Sequence, residues 1–377
     1  MPVVVLFIIF VLLLVIAVPV SITLGITSVL PSICDPSFTV GAKYLIRAMF
    51  GGLDSFPLLA VPMFVLSGII MAKGGISKKL FDVFAYFLGK FTAGMPCAVI
   101  VTCLFYGAIS GSAPATVAAV GSMTIPILTN LGYDLTFSTA IVAVAGGLGV
   151  IIPPSIPFIM YGMASGASVS DLFLAGIVPG LMIGALLMIY AIYHCKRYGE
   201  DKAKIHAEVQ ELHDKGLLKV LKESFFALLS PVIILGCIYS GVASPTEAAV
   251  ISVFYALIIS LFVYKSIHIR DIWGILVEAI RTFTPILFIL AASTAFSRVL
   301  TLMQVPQTVS EFILNNFHSP VAILLIINLF LLIVGMVMDT TPAILILTPI
   351  LLPIVQAIGM DPVSYTHLRA HETGAYL

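Results

Sequence analysis

FYGAISGSAPATVAAVGSMTIP, residues 105–126, breaks an apolar run with a polar tip, Ser110-Gly111-Ser112, followed by Pro114. Each arm is too short to cross a bilayer alone, which takes about 20 helical residues. An irregular tip at membrane depth is tolerated only where protein or a water-filled cavity covers it. The pattern therefore predicts a re-entrant helical hairpin over residues 96–130, its arms held close by small residues. Hydroxyls and exposed carbonyls at such a tip are hard oxygen donors suited to sodium, which makes Ser110, Gly111 and Ser112 candidate cation ligands. The N-terminus of the second arm favours a carboxylate, and Thr116 in that arm is assigned to the substrate. Close packing by small residues alone is the alternative.

AGGLGVIIPPSIPFIMYG follows at residues 145–162. Pro153, Pro154 and Pro157 each lack an amide hydrogen and crowd the preceding turn, so no regular helix runs through them. A broken helix over residues 138–165 is expected to face the tip. The freed carbonyls from Gly149 to Ile152, with Pro153 and Ser155, complete a candidate ion site; a simple proline kink is the alternative.

The rest of the chain puts these elements in a membrane. Sixty per cent of residues are hydrophobic, ten per cent are charged, and the mean hydropathy is +1.16. Soluble domains carry roughly a quarter charged residues. Apolar runs at residues 3–30, 56–71, 172–193, 225–241, 248–264, 285–295 and 321–338 predict an all-α polytopic membrane protein. The first run has no basic n-region and no cleavage site, so it reads as a retained segment; with Pro19 and Pro31 inside or just after it, it is either one long kinked helix or two short ones. Equal numbers of acidic and basic residues exclude nucleic-acid binding. Five scattered cysteines without a CxxC pair read as buried small hydrophobes. Residues 196–223 form the long hydrophilic stretch; with seven lysines and arginines it predicts an amphipathic helix on the cytoplasmic membrane surface. His206 and His213 within it read as solvated.

Offsetting the chain by 228 residues sets Gly107 on Gly335, Pro114 on Pro342 and Ala115 on Ala343; at 227, Pro126 meets Pro353, Gly132 meets Gly359 and Asp134 meets Asp361. Residues 1–195 and 224–362 thus read as two repeats, the second with its own hairpin over residues 321–358. Interrupted hydrophobic segments at matching places point to a transporter with its site at the interruptions. The second tip, in IVGMVMDTTPAILILTPILLP (residues 333–353), holds Asp339, Thr340 and Thr341. A carboxylate inside an apolar span is costly, so Asp339 is a functional candidate. It coordinates an ion, carries a proton, or caps the helix beginning near Pro342. Arg298, beside Ser293 and Ser297, either binds a substrate carboxylate through paired hydrogen bonds or snorkels to the interface.

GLDSFPLLAVPMFVLSGIIM (52–71), DLFLAGIVPG (171–180), SPTEAA (244–249) and the hairpin and proline motifs quoted above resemble the large membrane subunit of tripartite ATP-independent periplasmic (TRAP) transporters, from residue 1 to about 362. The resemblance implies inverted repeats and an elevator-type architecture in the bacterial inner membrane. It implies uptake of organic acids such as C4-dicarboxylates, with Na+ as the coupling ion and no cofactor. The implied partners are a small four-helix membrane subunit and a periplasmic substrate-binding protein. By position, the ion and substrate sites fall on Ser110 to Ser112, Gly149 to Ser155, and Asp339 to Thr341. One departure stands out: the family continues after Asp361-Pro362 with a second broken helix, whereas residues 363–377 here read as a non-native tail. The second repeat is therefore expected to be incomplete. Two other readings compete. A binding-protein-independent sodium/carboxylate carrier would share the hairpins, whereas an intramembrane enzyme has no HExxH or GxSxG motif to support it.

Overall fold

The computed structural model describes every residue except 1–2, 35–37, 39–40, 318, 337 and 364–377, so His318 and the tail from Ser364 lie outside the described residues. The described residues form helices and no strand. In chain order these are α1 (Val3–Val15), α2 (Val20–Cys34), α3 (Ala42–Leu53), α4 (Ala60–Lys73), α5 (Ile76–Leu88), α6 (Gly94–Ser110), α7 (Ala113–Asn130), α8 (Leu135–Gly146) and α9 (Ile156–Ser165). They continue with α10 (Val169–Tyr198), α11 (Lys202–Asp214), α12 (Leu217–Tyr239), α13 (Pro245–Ile258), α14 (Asp271–Leu302), α15 (Val305–Asn316), α16 (Pro320–Gly335) and α17 (Thr340–Ala357). Among the described residues six stretches are long and apolar enough to span a membrane: Phe56–Lys73, α10, α12, the helix Pro245–Val263, α14 and α17.

The N-terminal run is two helices. Val18 N donates to Leu13 O at 3.0 Å and Ala17 N to Leu14 O at 2.9 Å, with Ala17 at a φ of 63°. This pairing closes a helix C-terminus with a left-handed residue, and Pro19 just beyond it cannot continue the helix. The hydrophilic stretch also departs from expectation. Gly199 and Gly216 both adopt positive φ and cut it into the end of α10, the separate α11, and the start of α12. Ile205, Val209 and Leu212, at helical spacing on α11, are buried within the protein, and the ring of His213 stacks on Tyr86 of α5 at 4.0 Å. Its apolar face therefore covers protein, not the membrane surface. Of the cysteines, Cys97, Cys103 and Cys195 are buried, whereas Cys34 is exposed.

The chain forms two compact units that interleave along the sequence instead of dividing at the hydrophilic linker. One comprises residues 60–158 and 169–279. In it α6 runs through the core, where Met95, Ile100, Cys103 and Tyr106 are essentially inaccessible. Its outer end is tied down by one carboxylate. Glu200, just after α10, accepts from Ala93 N at 3.0 Å and from Tyr133 Oη at 2.5 Å. Ala93 precedes α6 and Tyr133 follows α7, so both feet of the hairpin share this anchor.

The other unit comprises the described residues up to 59, residues 159–168, and residues 280–363. Leu45, Ala295 and Val299 form a small core there, and Phe10 stacks on Phe296 at 5.7 Å. Its α17 is buried on nearly every side, from Thr340 to Val355.

Candidate functional site

At the first tip, α6 ends where Gly111 turns left-handed, with a φ of 61° and its N–H donated to Gly107 O at 2.9 Å. Pro114 then sits in the first turn of α7, where a missing amide hydrogen costs nothing. The tip is tight. A methyl group on Gly111 would lie 2.8 Å from Pro154 O, and one on Gly107 would lie 2.6 Å from Gly149 Cα. The backbones of α6 and the broken helix therefore touch directly, and Ile156 N donates to Gly111 O at 3.2 Å.

Oxygen atoms gather at this contact. Thr116 Oγ1 donates to Ser112 O at 2.9 Å, and the hydroxyls of Ser110 and Thr116 are 2.9 Å apart. Ser110, Thr116 and Ser155 are all fully or almost fully buried. Behind them α8 gives way to a 3₁₀ turn at Gly147–Val150, and α9 resumes only at Ile156. Pro153, Pro154 and Pro157 deprive the carbonyls of Gly149, Val150 and Pro153 of their helical donors. Ser155 Oγ takes over at Val150 O, donating at 2.5 Å, while Ile152 keeps a bond from its own N–H to Leu148 O at 2.9 Å. The structure thus brings Ser110, Ser112 and Gly149 together and sets Gly111 against Pro154 and Ile156, on either side of Ser155; Ile152 and Pro153 belong to the same broken helix, with the Ile152 side chain packed at Gly180 of α10. Thr116, assigned to the substrate from the sequence, stands with its hydroxyl in this cluster, bonded to Ser112 O and 2.9 Å from the Ser110 hydroxyl.

In the other unit the second tip joins α16 to α17. Asp339 is the N-cap of α17, accepting from Thr340 N at 2.8 Å through one carboxylate oxygen, and Thr340 and Thr341 are buried behind it. At the matched positions the glycines share a conformation and the aspartates accept from backbone N–H groups three and two residues on. Gly132 and Gly359 are left-handed, with φ of 94° and 81°. Asp134 accepts from Phe137 N at 3.1 Å, and Asp361 from Val363 N at 2.7 Å.

Three of the four expected substrate residues also meet. Ser293, Ser297 and Arg298 line one cavity of about 410 Å³ in this unit. Ser293 Oγ is buried without a hydrogen-bond partner, and among the described residues none forms an ion pair with Arg298. Leu345 and Pro349 of α17 line it too; because Pro349 has no N–H, the carbonyl of Leu345 lacks its helical donor. Gly51, Gly52 and Ser55 form another wall that sequence reasoning missed. Their signal was the Gly-Gly pair in FGGLDS, since a side chain at Gly52 would collide with Thr294.

The chain is 42% identical over 364 residues to the isethionate TRAP transporter permease protein DctMQ of Oleidesulfovibrio alaskensis, covering 97% of this chain and 56% of that one. It thus spans little more than half of that relative's length. It is 38% identical over 315 residues to the C4-dicarboxylate TRAP transporter large permease protein DctM of Pseudomonas aeruginosa, covering 84% of this chain and 72% of that one. In fold it resembles the solved structure of the YdaH transporter of Alcanivorax borkumensis, with a TM-score of 0.61 at 12% identity over 98% of this chain and 87% of that one. The family model described as tripartite ATP-independent periplasmic transporter, DctM component, matches residues 7–368, and this chain belongs to that family of transport components.

Proposed function

We propose that this chain is the large permease subunit of a sodium-coupled transporter that brings small organic acids across a bacterial inner membrane. A small four-helix membrane subunit and a periplasmic substrate-binding protein work with it. The observation that carries the proposal is the buried oxygen cluster of the first tip, where the hydroxyls of Ser110 and Thr116 and the carbonyl of Ser112 meet and the last two pack against the α-carbon of Gly149. The C-terminal end of α6 turns its negative pole to that point, which favours a cation, as broken helices do at transporter ion sites. No carboxylate is needed there, which suits a weakly held monovalent ion that must leave again.

The substrate end is the Arg298 cavity. Its volume lies within the range of about 300–1,000 Å³ found for small-molecule sites. An exposed guanidinium offers paired donors to a carboxylate or sulfonate, and Ser293 has a hydroxyl to spare. Isethionate and C4-dicarboxylates, named for two relatives, are both small organic anions, so an anion selective for Arg298 is the common feature. Asp339 keeps one carboxylate oxygen beyond its cap bond, and with Thr340 and Thr341 it contributes a second ion site. The two hairpins are read as inverted repeats moving in elevator fashion.

The test is uptake of labelled isethionate or C4-dicarboxylate into proteoliposomes holding both membrane subunits, with and without a sodium gradient and with and without the binding protein. Uptake requiring both supports the proposal. Unchanged sodium dependence in both Ser110→Ala, which removes a cluster hydroxyl, and Asp339→Asn would remove the ion assignment. Uptake without the binding protein would favour the independent carrier.

A further inference from the structure

A second cavity, about 550 Å³, opens between α5, the start of α12 and the end of the Pro245–Val263 helix; it shares no residue with the hairpin tip. Lys78, Lys79, Lys215 and Lys219 line it, against the two acids Asp82 and Glu223. Glu223 is committed to Lys79 at 2.7 Å. Lys215 has only an exposed partner at 3.6 Å on its own helix side, Glu211, a kind of pair worth little. Among the described residues Lys78 and Lys219 have no ion pair. The hydroxyls of Ser224 and Ser266 are already donated to Lys79 O and Gly74 O, both at 2.9 Å. What the cavity offers is therefore ammonium groups, and with both acids ionised they leave a net positive charge.

Its position says which anion. The cavity lies where two candidate spans end, Leu217 to Tyr239 and Pro245 to Val263. Next in the chain to its lining residues Lys219 and Val263 stand two bare apolar side chains, Leu218, 85% exposed, and Phe262, 71%. A free phosphate has no use for that surface, whereas a phospholipid does, because its acyl chains cover it while its headgroup meets the lysines. Basic pockets at the ends of membrane helices select anionic headgroups in this way.

We propose that Lys78, Lys215 and Lys219 hold the phosphate of an anionic phospholipid whose acyl chains lie along Leu218 and Phe262. This stands independently of the transport reading. A lysine near an anionic membrane surface contributes about a fivefold gain in binding, so three contribute on the order of a hundredfold.

The experiment uses the purified full chain in detergent, titrated with phosphatidylglycerol, with phosphatidylcholine and with inorganic phosphate. Thermal midpoint and lipid retained in native mass spectrometry are the readouts. Phosphatidylglycerol is expected to be retained and to raise the midpoint, while phosphatidylcholine is not. The variant K78Q/K215Q/K219Q is expected to lose about a hundredfold in apparent affinity, the arginine triple variant to keep binding, and the single variant K219Q to lose about fivefold. Should the triple glutamine variant not fold, K219Q and the arginine variant decide the matter. Equal effects of the two lipids, or unchanged affinity in K219Q, would overturn the proposal. Protection by millimolar inorganic phosphate that displaces the lipid would also overturn it, in favour of a soluble phosphate site.

Discussion

Replacing Gly149 by alanine tests the close contact on which the first tip depends. The added methyl would lie 2.5 Å from Thr116 Oγ1 and 3.1 Å from Ser112 O. Ordinary contact is about 3.5 Å, so either Thr116 or the 3₁₀ turn must shift by about 1 Å. The turn has little room, since Gly107 already meets Gly149 backbone to backbone. The Thr116 side chain therefore moves, breaking its bonds to Ser112 O and Ser110, worth about 1 kcal/mol each. Overpacking of a closed core adds about 1–3 kcal/mol of destabilisation. If the lost bonds orient the ion's ligands, about 2 kcal/mol becomes about a 30-fold weaker sodium response. Gly236→Ala is the control: nothing lies within 4 Å of its added methyl, and a glycine in a helix interior costs about 0.5–1 kcal/mol relative to alanine. Thermal unfolding in detergent and the sodium concentration for half-maximal protection of both variants supply the measurement. If Gly149→Ala matched Gly236→Ala in both quantities, the reasoning about the tip would be refuted.

Ser293→Ala should raise stability by about 1 kcal/mol or more, because it removes a buried hydroxyl without a partner, yet weaken substrate binding; a drop in stability would show that the hydroxyl is satisfied. Asp339→Asn should keep α17 capped, since asparagine caps as well as aspartate, while diminishing the sodium response; Asp339→Ala should in addition cost about 1 kcal/mol in unfolding measurements. Acid titration of stability should show two opposed contributions. Burial pushes the Asp82 carboxyl above its ordinary value of 3.8, so its stabilising part is present below 3.8 and lost as pH rises through the raised value. The Phe137 N–H holds Asp134 below 3.8, so its part is present above 3.8 and lost as pH falls through the lowered value. Asp82→Asn should flatten the first and Asp134→Asn the second.

The hairpins and the broken helix were readable from sequence because proline and glycine act locally: a missing amide hydrogen or a left-handed turn has the same consequence wherever it stands, as at Gly111 and Pro153. The same rule separates α1 from α2 at Pro19, but only tertiary packing decides whether such a break bends or ends a helix. The neighbours of Thr116 were not legible for a related reason: its residue type fits an ion or a substrate equally, and only the fold brings Ser110 within 2.9 Å of it. The wall of Gly51 to Ser55 escaped notice because its partner, Thr294, is more than two hundred residues away in the chain. The face of α11 carried the periodicity of a membrane-surface helix, and periodicity does not say whether lipid or protein covers an apolar stripe. Likewise the halves visible in the sequence are not the compact units, since each unit draws on both halves.

The carboxylate of Glu200 gives the linker an unequal tolerance to engineering. Because one side chain fastens the two feet of the first hairpin, the few residues from Cys195 to Asp201 act as a splice whose length is set by the hairpin's width. A tag, protease site or fluorescent insert placed there would unhook both arms at once. The same insert at the exposed turn around Lys215 and Gly216 would lengthen a connection without loosening that anchor.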